Sequence, residues 1–308
     1  MYIEIGKEYC FYGRIDQMNA STYEDFPINV TSEDMDKVVV RIAQGNHLLM
    51  NKIYYFETTA IDFKDKIHLK ATKFELLSEK IIPDEDRERL MRAFYDYAPI
   101  TLSALKEGIE TRLNQIENEI IKAITLDIFK NYADDFYLYP AATKFHHAYI
   151  SGLAYHTLTM LKLAEGFMMV YPFLNPDLMI AGIILHDVTK ILEFDSYEGN
   201  EYTVQGRLVG HITLGANAIA LSAKKLGYED SEEAMLLQHI ILSHHYYGNF
   251  GSPKKPNIAE ALAIHFIDNI DSKIAVLGEA LEEVNYGSFT EQLGVLDKEK
   301  YYKHKLTK

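Results

Sequence analysis

The stretch AGIILHDVTKILEF, residues 181–194, decides how this chain is read. Ile183, Ile184 and Leu185 form an apolar run suited to a core. His186 and Asp187 then stand side by side, with Lys190 three residues further on. A buried carboxylate or imidazolium is costly unless it is paired or coordinates a metal. The same kind of interruption recurs along the chain: His156 in SGLAYHTLTM, His211 in LVGHITLG, His244 and His245 in ILSHHYYG, and Asp268 in AIHFIDNIDSK. Each falls in or at the end of a segment that reads as an apolar helix, so the polar residues call for one shared explanation.

A metal site supplies it. Imidazole nitrogen together with carboxylate oxygen suits Mn2+, Fe2+, Co2+, Ni2+ or Zn2+. Adjacent residues such as His186 and Asp187 cannot point the same way from a regular helix. At a helix end both can reach one ion, or Asp187 can bridge two. Two ions would activate a water and neutralise a phosphate during in-line displacement, and Lys190, about one turn on, would steady a non-bridging phosphate oxygen. Singly, each residue has a plainer explanation: His211 as a satisfied core histidine, the SHH triplet as a polar helix end favoured by the dipole. The ordered set carries the metal reading.

Outward from this centre the chain changes character. Near the N-terminus, residues 37–44, 52–63 and 66–77 are rich in β-branched and aromatic residues and are separated by polar turns, which predicts strands. A small β-module over residues 1–80 follows, with an OB-type barrel as one form it can take. Residues 81–140 predict a helical connector, entered at Pro83 with Asp84, Glu85 and Asp86 in the first turn. From 141 to 290 the periodicity is helical, with helices expected over 144–170, 176–188, 206–226, 231–245 and 259–284. Gly227 is placed as a C-cap. NFGSPKKPN, 249–257, reads as a loop, and the basic residues 291–308 as a loosely ordered tail. The expected class is α+β, mainly α.

Composition bounds the rest. The 308 residues are 48% hydrophobic and 25% charged, ordinary for a globular protein with a core. A single cysteine, Cys10, excludes an internal disulfide framework and a cysteine-built zinc site, and fits a reducing cytoplasm. The acidic N-terminus lacks the apolar core of a signal peptide, and no apolar run is long enough for a membrane helix. A net charge of −14 argues against a surface coated for nucleic acid, while leaving room for a local basic channel or for metal ions as the source of positive charge. No phosphate loop of the GxxxxGK[ST] kind is present.

The order H…HD…H…HH…D resembles the HD-domain metal-dependent phosphohydrolases, an all-helical superfamily. More closely, YPAATKFHHAYISGLAYHTLTML, AGIILHDVTKI, GRLVGHI, LSHHYYGNFGSPKKP and IDNIDSK resemble the YhaM-type 3′-to-5′ exoribonucleases, which join an N-terminal OB-fold to a C-terminal HD domain. The resemblance implies that His156, His186, Asp187 and Asp268 hold a first ion. It makes Asp187 a bridge to a second ion held by His211 and His244, with His245 replacing His244 or lying just outside. Asp271 is the rival to Asp268, or a partner for a ligating histidine. Mn2+ is the favoured ion. His146 and His147, ten and nine residues before His156, fit either a substrate-phosphate contact or a polar helix start. In the loop after SHH, Tyr247, with Tyr246 and Phe250, suits stacking on bases, and Lys254 and Lys255 suit phosphates.

The implied activity is removal of nucleoside 5′-monophosphates from the 3′ end of single-stranded RNA, and of single-stranded DNA, by a metal-activated water, in a cytoplasmic protein acting alone or as a homo-oligomer. Two other classes fit the same motifs. One is a phosphohydrolase of a nucleotide or cyclic dinucleotide; the other is a non-catalytic nucleic-acid-binding protein.

Overall fold

The computed structural model describes residues 2–143, 147–197 and 201–306. The chain forms two compact units, Met1–Asp96 and Tyr97–Lys308. In the first unit, β1 (Glu8–Met18), β2 (Asp25–Ser32), β3 (Lys37–Ala43), β4 (Ile53–Asp62) and β5 (Ile67–Leu76) close into a barrel in the order β1-β2-β3-β5-β4. Antiparallel pairs make most of the wall, and a short parallel pairing of β3 with β5, at Val40 with Leu69 and Arg41 with Lys70, completes it. This is an OB-like barrel.

Alternation along the strands fills it. Phe11 and Ile15 of β1, Ile28 and Val30 of β2, Val40 and Ile42 of β3, Phe56 and Ala60 of β4 and Leu69 of β5 all point inward. Gly13 is required at its inward position, since a Cβ there would lie 2.3 Å from Val30 Cγ1. The sequence pattern marked β3, β4 and β5. It did not mark β1 and β2, whose outward residues interleave charge and polarity with the core positions. Cys10 is exposed on β1.

The stretch read as a connector divides between the units. α1 (Asp84–Phe94) belongs to the first. α2 (Leu102–Asn114) and α3 (Glu119–Phe136) bury Leu105, Ile109, Leu113, Ile121, Ile124 and Phe129 in the core of the second. That core also takes α4 (Gly152–Val170), α5 (Pro176–Leu185), α7 (His211–Leu226), α8 (Glu232–Ser243) and α9 (Ala259–Glu282), with the short α6 (Val204–Leu208) at its side. α5 lies at the centre, buried from Leu178 through Leu185. Asn118, Asn175 and Ser231 cap α3, α5 and α8 by accepting from backbone N–H groups, and Gly227, in the left-handed region at φ 79°, ends α7.

Three helix bounds differ from the periodicity, each for a local backbone reason. The helix expected from 144 begins at Gly152, because His147 (φ 54°) and Ser151 (φ 65°) are left-handed and the chain doubles back. A Cβ on Gly152 would sit 2.0 Å from the His147 carbonyl oxygen. His146 lies outside the described residues. α5 stops at Leu185, so that His186 is its C-cap and Asp187 leads into a 3₁₀ turn, Val188–Leu192. Gly210, at φ 76°, separates α6 from α7. The tail folds back on itself, pairing Phe289 with Tyr302 and Leu293 with Glu299. Among the described residues no helix is long and apolar enough to cross a membrane.

Candidate metal centre

The bundle delivers its polar residues to one place. His156 comes from the first turns of α4, His186 and Asp187 from the end of α5, His211 from the first residue of α7, His244 and His245 from the end of α8, and Asp268 from the middle of α9. Helix ends dominate because there the backbone turns away and a side chain can point across the gap between helices.

Asp187 is the common neighbour. Its Oδ2 lies 3.1 Å from His186 Nε2 and 4.0 Å from His156 Nε2. Its Oδ1 lies 3.3 Å from His211 Nε2 and 3.8 Å from His244 Nε2. Asp268 Oδ1 is 3.4 Å from His156 Nε2. Three groups of potential donor atoms result, each within 4.8 Å: His156, His186 and Asp187 on one side; Asp187, His211, His244 and His245 on the other; and, apart from Asp187, His147, His156 and Asp271.

Four of these atoms, His186 Nε2, Asp187 Oδ1, His211 Nε2 and His244 Nε2, are buried with no hydrogen-bond partner. Leaving such a group unpaired costs about 1–3 kcal/mol. The far side of each ring explains why the lone pairs face inward. His186 Nδ1 donates to the Ile183 carbonyl (2.7 Å), His244 Nδ1 to that of Ile241 (2.8 Å) and His245 Nδ1 to that of Phe250 (2.7 Å). A carbonyl only accepts, so Nδ1 carries the proton and Nε2 of the neutral ring is a free donor to a cation. His211 is held by a carboxylate instead, with Nδ1 3.1 Å from Glu193 Oε2. His156 Nδ1 contacts Asp271 Oδ2 at 2.6 Å. The donor chemistry and its orientation fit a divalent metal.

Electrostatics agree. Burial drives the pKa of His244 well below its ordinary value, and neighbouring imidazoles push it the same way, so it stays neutral. Burial lowers His245 too. Burial opposes the charge of Asp187, yet His186 and Lys190 outweigh it and hold the carboxyl far below its usual range. Burial likewise opposes a charged His156, but hydrogen bonds and charge from Asp268 and Asp271 carry it up to about 9. Asp187, Asp268 and Asp271 are thus held ionised around a protonated His156 and Lys190, beside a neutral His244, and a divalent cation would take the place of the imidazolium's proton.

Other candidate residues fall in different places. Lys190 is half-buried, with Nζ 2.7 Å from Asp187 Oδ2, so it is engaged with the central carboxylate. His147 is buried, with Nε2 2.9 Å from Asp271 Oδ2 and Nδ1 2.7 Å from the Tyr149 hydroxyl, so both ring nitrogens are engaged and the ring braces Asp271. Its left-handed backbone is what brings its ring within 5.5 Å of His156. Tyr247 and Phe250 are exposed on the loop beside His245, at 51% and 62%. Lys254 and Lys255 are exposed further along, with the Lys255 ammonium over the Tyr246 ring at 5.2 Å. Sequence reasoning missed Glu193, and also His265, which is buried and donates to the His244 carbonyl at 2.8 Å.

Comparison with known proteins adds the family. The model of the HD domain matches residues 153–273, which span every residue of this cluster from His156 to Asp271. The 3′-5′ exoribonuclease YhaM of Bacillus pumilus (strain SAFR-032) is 39% identical over 250 residues, 81% of this chain and 79% of its own. That of Bacillus subtilis (strain 168) is 37% identical over 254 residues, 82% of this chain and 81% of its own. Among solved structures, a replication protein A heterotrimer bound to ssDNA aligns to 29% of this chain and 69% of its own at 11% identity with a TM-score of 0.23, too slight a likeness to carry weight. With identity of this extent over about four-fifths of its length, the chain belongs to the YhaM 3′-5′ exoribonuclease family of HD-domain proteins.

Proposed function

We propose that this protein is a divalent-metal-dependent 3′-to-5′ exoribonuclease that shortens single-stranded RNA, and single-stranded DNA as well, releasing nucleoside 5′-monophosphates in the cytoplasm. The observation that carries the proposal is the convergence on Asp187 of three buried imidazole nitrogens without hydrogen-bond partners. His156, His186, Asp187 and Asp268 would hold one ion. His211, His244 and His245 would hold a second across Asp187, with Mn2+ the favoured occupant of both. When bound, the ions supply charge for the scissile phosphate and acidity for the attacking water.

The chain's own residues do the rest. Asp187 turns Oδ2 toward His186 and Oδ1 toward His211 and His244, so that it would be a ligand common to both sides. Carbonyls of α5, α8 and the following loop hold three ring protons away from the centre. The Lys190 ammonium balances the central carboxylate and lies where a phosphate oxygen would compete for it. Tyr247 and Phe250 present exposed rings beside His245, suited to stack on terminal bases. In the barrel, Tyr23, Arg41 and Phe63 line a cavity of about 400 Å3, with the Lys64 ammonium 5.0 Å from the Tyr23 ring. Rings and cations together suit a single strand.

The test is purified protein with Mn2+ and a 5′-labelled single-stranded RNA, alongside Asp187→Ala and a chelator control. A ladder shortening from the 3′ end, absent in both controls, is expected. Intact RNA across several divalent metals would refute the proposal.

A further inference from the structure

Glu193 was invisible to motif reading, yet its side chain is among the most constrained near the centre. It is 7% exposed. One carboxylate oxygen, Oε1, accepts the backbone N–H of His211 at 2.7 Å. The other, Oε2, lies 3.1 Å from His211 Nδ1. The same carboxylate therefore caps α7, whose own N-cap residue is Gly210 and has no side chain to do so, and fixes the ring of the residue that begins it.

The backbone around Glu193 is built to seat it. Its carbonyl accepts from Thr203 N at 2.8 Å, and its N–H donates to Lys190 O at 2.8 Å. Gly206 packs directly on it: a Cβ there would lie 2.6 Å from the Glu193 carbonyl oxygen and 2.7 Å from its Cα. Gly210 leaves room beside the carboxylate, a Cβ there reaching 3.6 Å from Oε1. Gly206 thus makes the close approach of Glu193 possible, while Gly210, where a Cβ would make only ordinary contact, supplies the positive φ (76°) that precedes α7.

We propose that Glu193 is the positioning residue for the His211 side of the centre: it keeps the proton of His211 on Nδ1, aims Nε2 at Asp187, and so sets the divalent-metal affinity of that side. The inference rests on the metal-centre reading above. The chemistry is specific to a carboxylate. Both of its oxygens accept, and both groups facing it, the backbone N–H and Nδ1–H, donate. A glutamine has one accepting and one donating end. If its oxygen keeps the backbone N–H, its NH2 faces Nδ1 and favours the tautomer with the proton on Nε2, which cannot bind a cation.

The experiment is Mn2+ titration by calorimetry of the full chain, stripped by chelator, for the native protein, Glu193→Gln, His211→Ala and the double variant, with circular dichroism of each stripped form. Loss of such a supporting group typically weakens metal binding about 10- to 100-fold. Glu193→Gln should weaken Mn2+ binding tenfold or more with an unchanged dichroism spectrum. His211→Ala should weaken it at least as much, and the double variant no further than His211→Ala, because Glu193 acts only through that ring. Binding by Glu193→Gln within threefold of native, or a double variant as weak as the product of the two singles, overturns the inference. If Glu193→Gln does not fold, Glu193→Asp keeps the charge and shortens the reach; a loss of tenfold or more supports the inference and native affinity overturns it. Absence of Mn2+ uptake by the native protein itself would bring down the metal-centre reading first, and this inference with it.

Discussion

Stripping and restoring the metal should move the melting temperature of the helical unit by an amount that can be set in advance. The folded protein brings together donor atoms from five helices, and no comparable set exists in the unfolded chain, so the ion binds the folded state alone. An ion at one hundred times its Kd then stabilises by about 2.7 kcal/mol per site. Two sites sharing Asp187, as proposed above, would give about 5 kcal/mol, twice that single-site value. For a unit of this size each kcal/mol moves the midpoint by about 2–4 °C, so the total is about 10–20 °C. Relief of four buried, unpartnered atoms is the physical source of that gain. The assay is thermal unfolding at 222 nm of chelator-treated protein with and without saturating Mn2+, since the helices dominate that signal. Asp187→Ala, compared with its own stripped form, should show a shift of a few degrees at most. A native shift below about 3 °C under saturation, or an equal shift in Asp187→Ala, would refute the reasoning, because the ion would then be binding elsewhere or not at all.

Other consequences are equally direct. Gly206→Ala drives a Cβ into the Glu193 backbone and should cost about 1–3 kcal/mol in thermal stability, with a parallel loss of Mn2+ affinity. Tyr247→Ala and Phe250→Ala, each removing an exposed ring beside His245, should raise KM for RNA about 5- to 100-fold and leave kcat nearly unchanged, on a stacking value of about 1–3 kcal/mol per base; steady-state kinetics on a labelled oligonucleotide checks this. In an Asp187→Ala background, which should bind RNA without cutting it, Tyr23→Ala should weaken single-strand binding about fivefold or more by fluorescence anisotropy. Equal affinity would remove the barrel cavity from the substrate path.

The metal centre was more legible in the sequence than its supports. His156, His186, Asp187, His211, His244 and Asp268 each break an apolar helical pattern, and a break of that kind demands a partner. Glu193 stands in KILEFD between Leu192 and Phe194, where it too interrupts an apolar run, but it lies outside the H…HD…H…HH…D order that drew the reading. Its nearest sequence signal was indirect, in Gly206 of GRLVGHI. His147 was misplaced for a backbone reason: its position depends on left-handed residues at 147 and 151, and neither is glycine. Periodicity assumes one regular conformation and cannot see such a reversal. In the barrel, β4 and β5 showed as long runs of β-branched and aromatic residues. β1 hid behind outward Glu8, Arg14 and Asp16, although Phe11, Gly13 and Ile15 keep strict alternation beneath them.

The contact between His156 and Asp271 spans 115 residues of chain. Centres tied across such a distance close late in folding, because the chain entropy lost in bringing the ends together is repaid only when the intervening helices have docked. A partly folded chain with α4 and α5 in place but α9 still free would show native-like helicity and almost no affinity for the ion. Metal uptake in a refolding experiment should therefore lag behind the recovery of helix, and its rate would time the docking of the last helix onto the bundle.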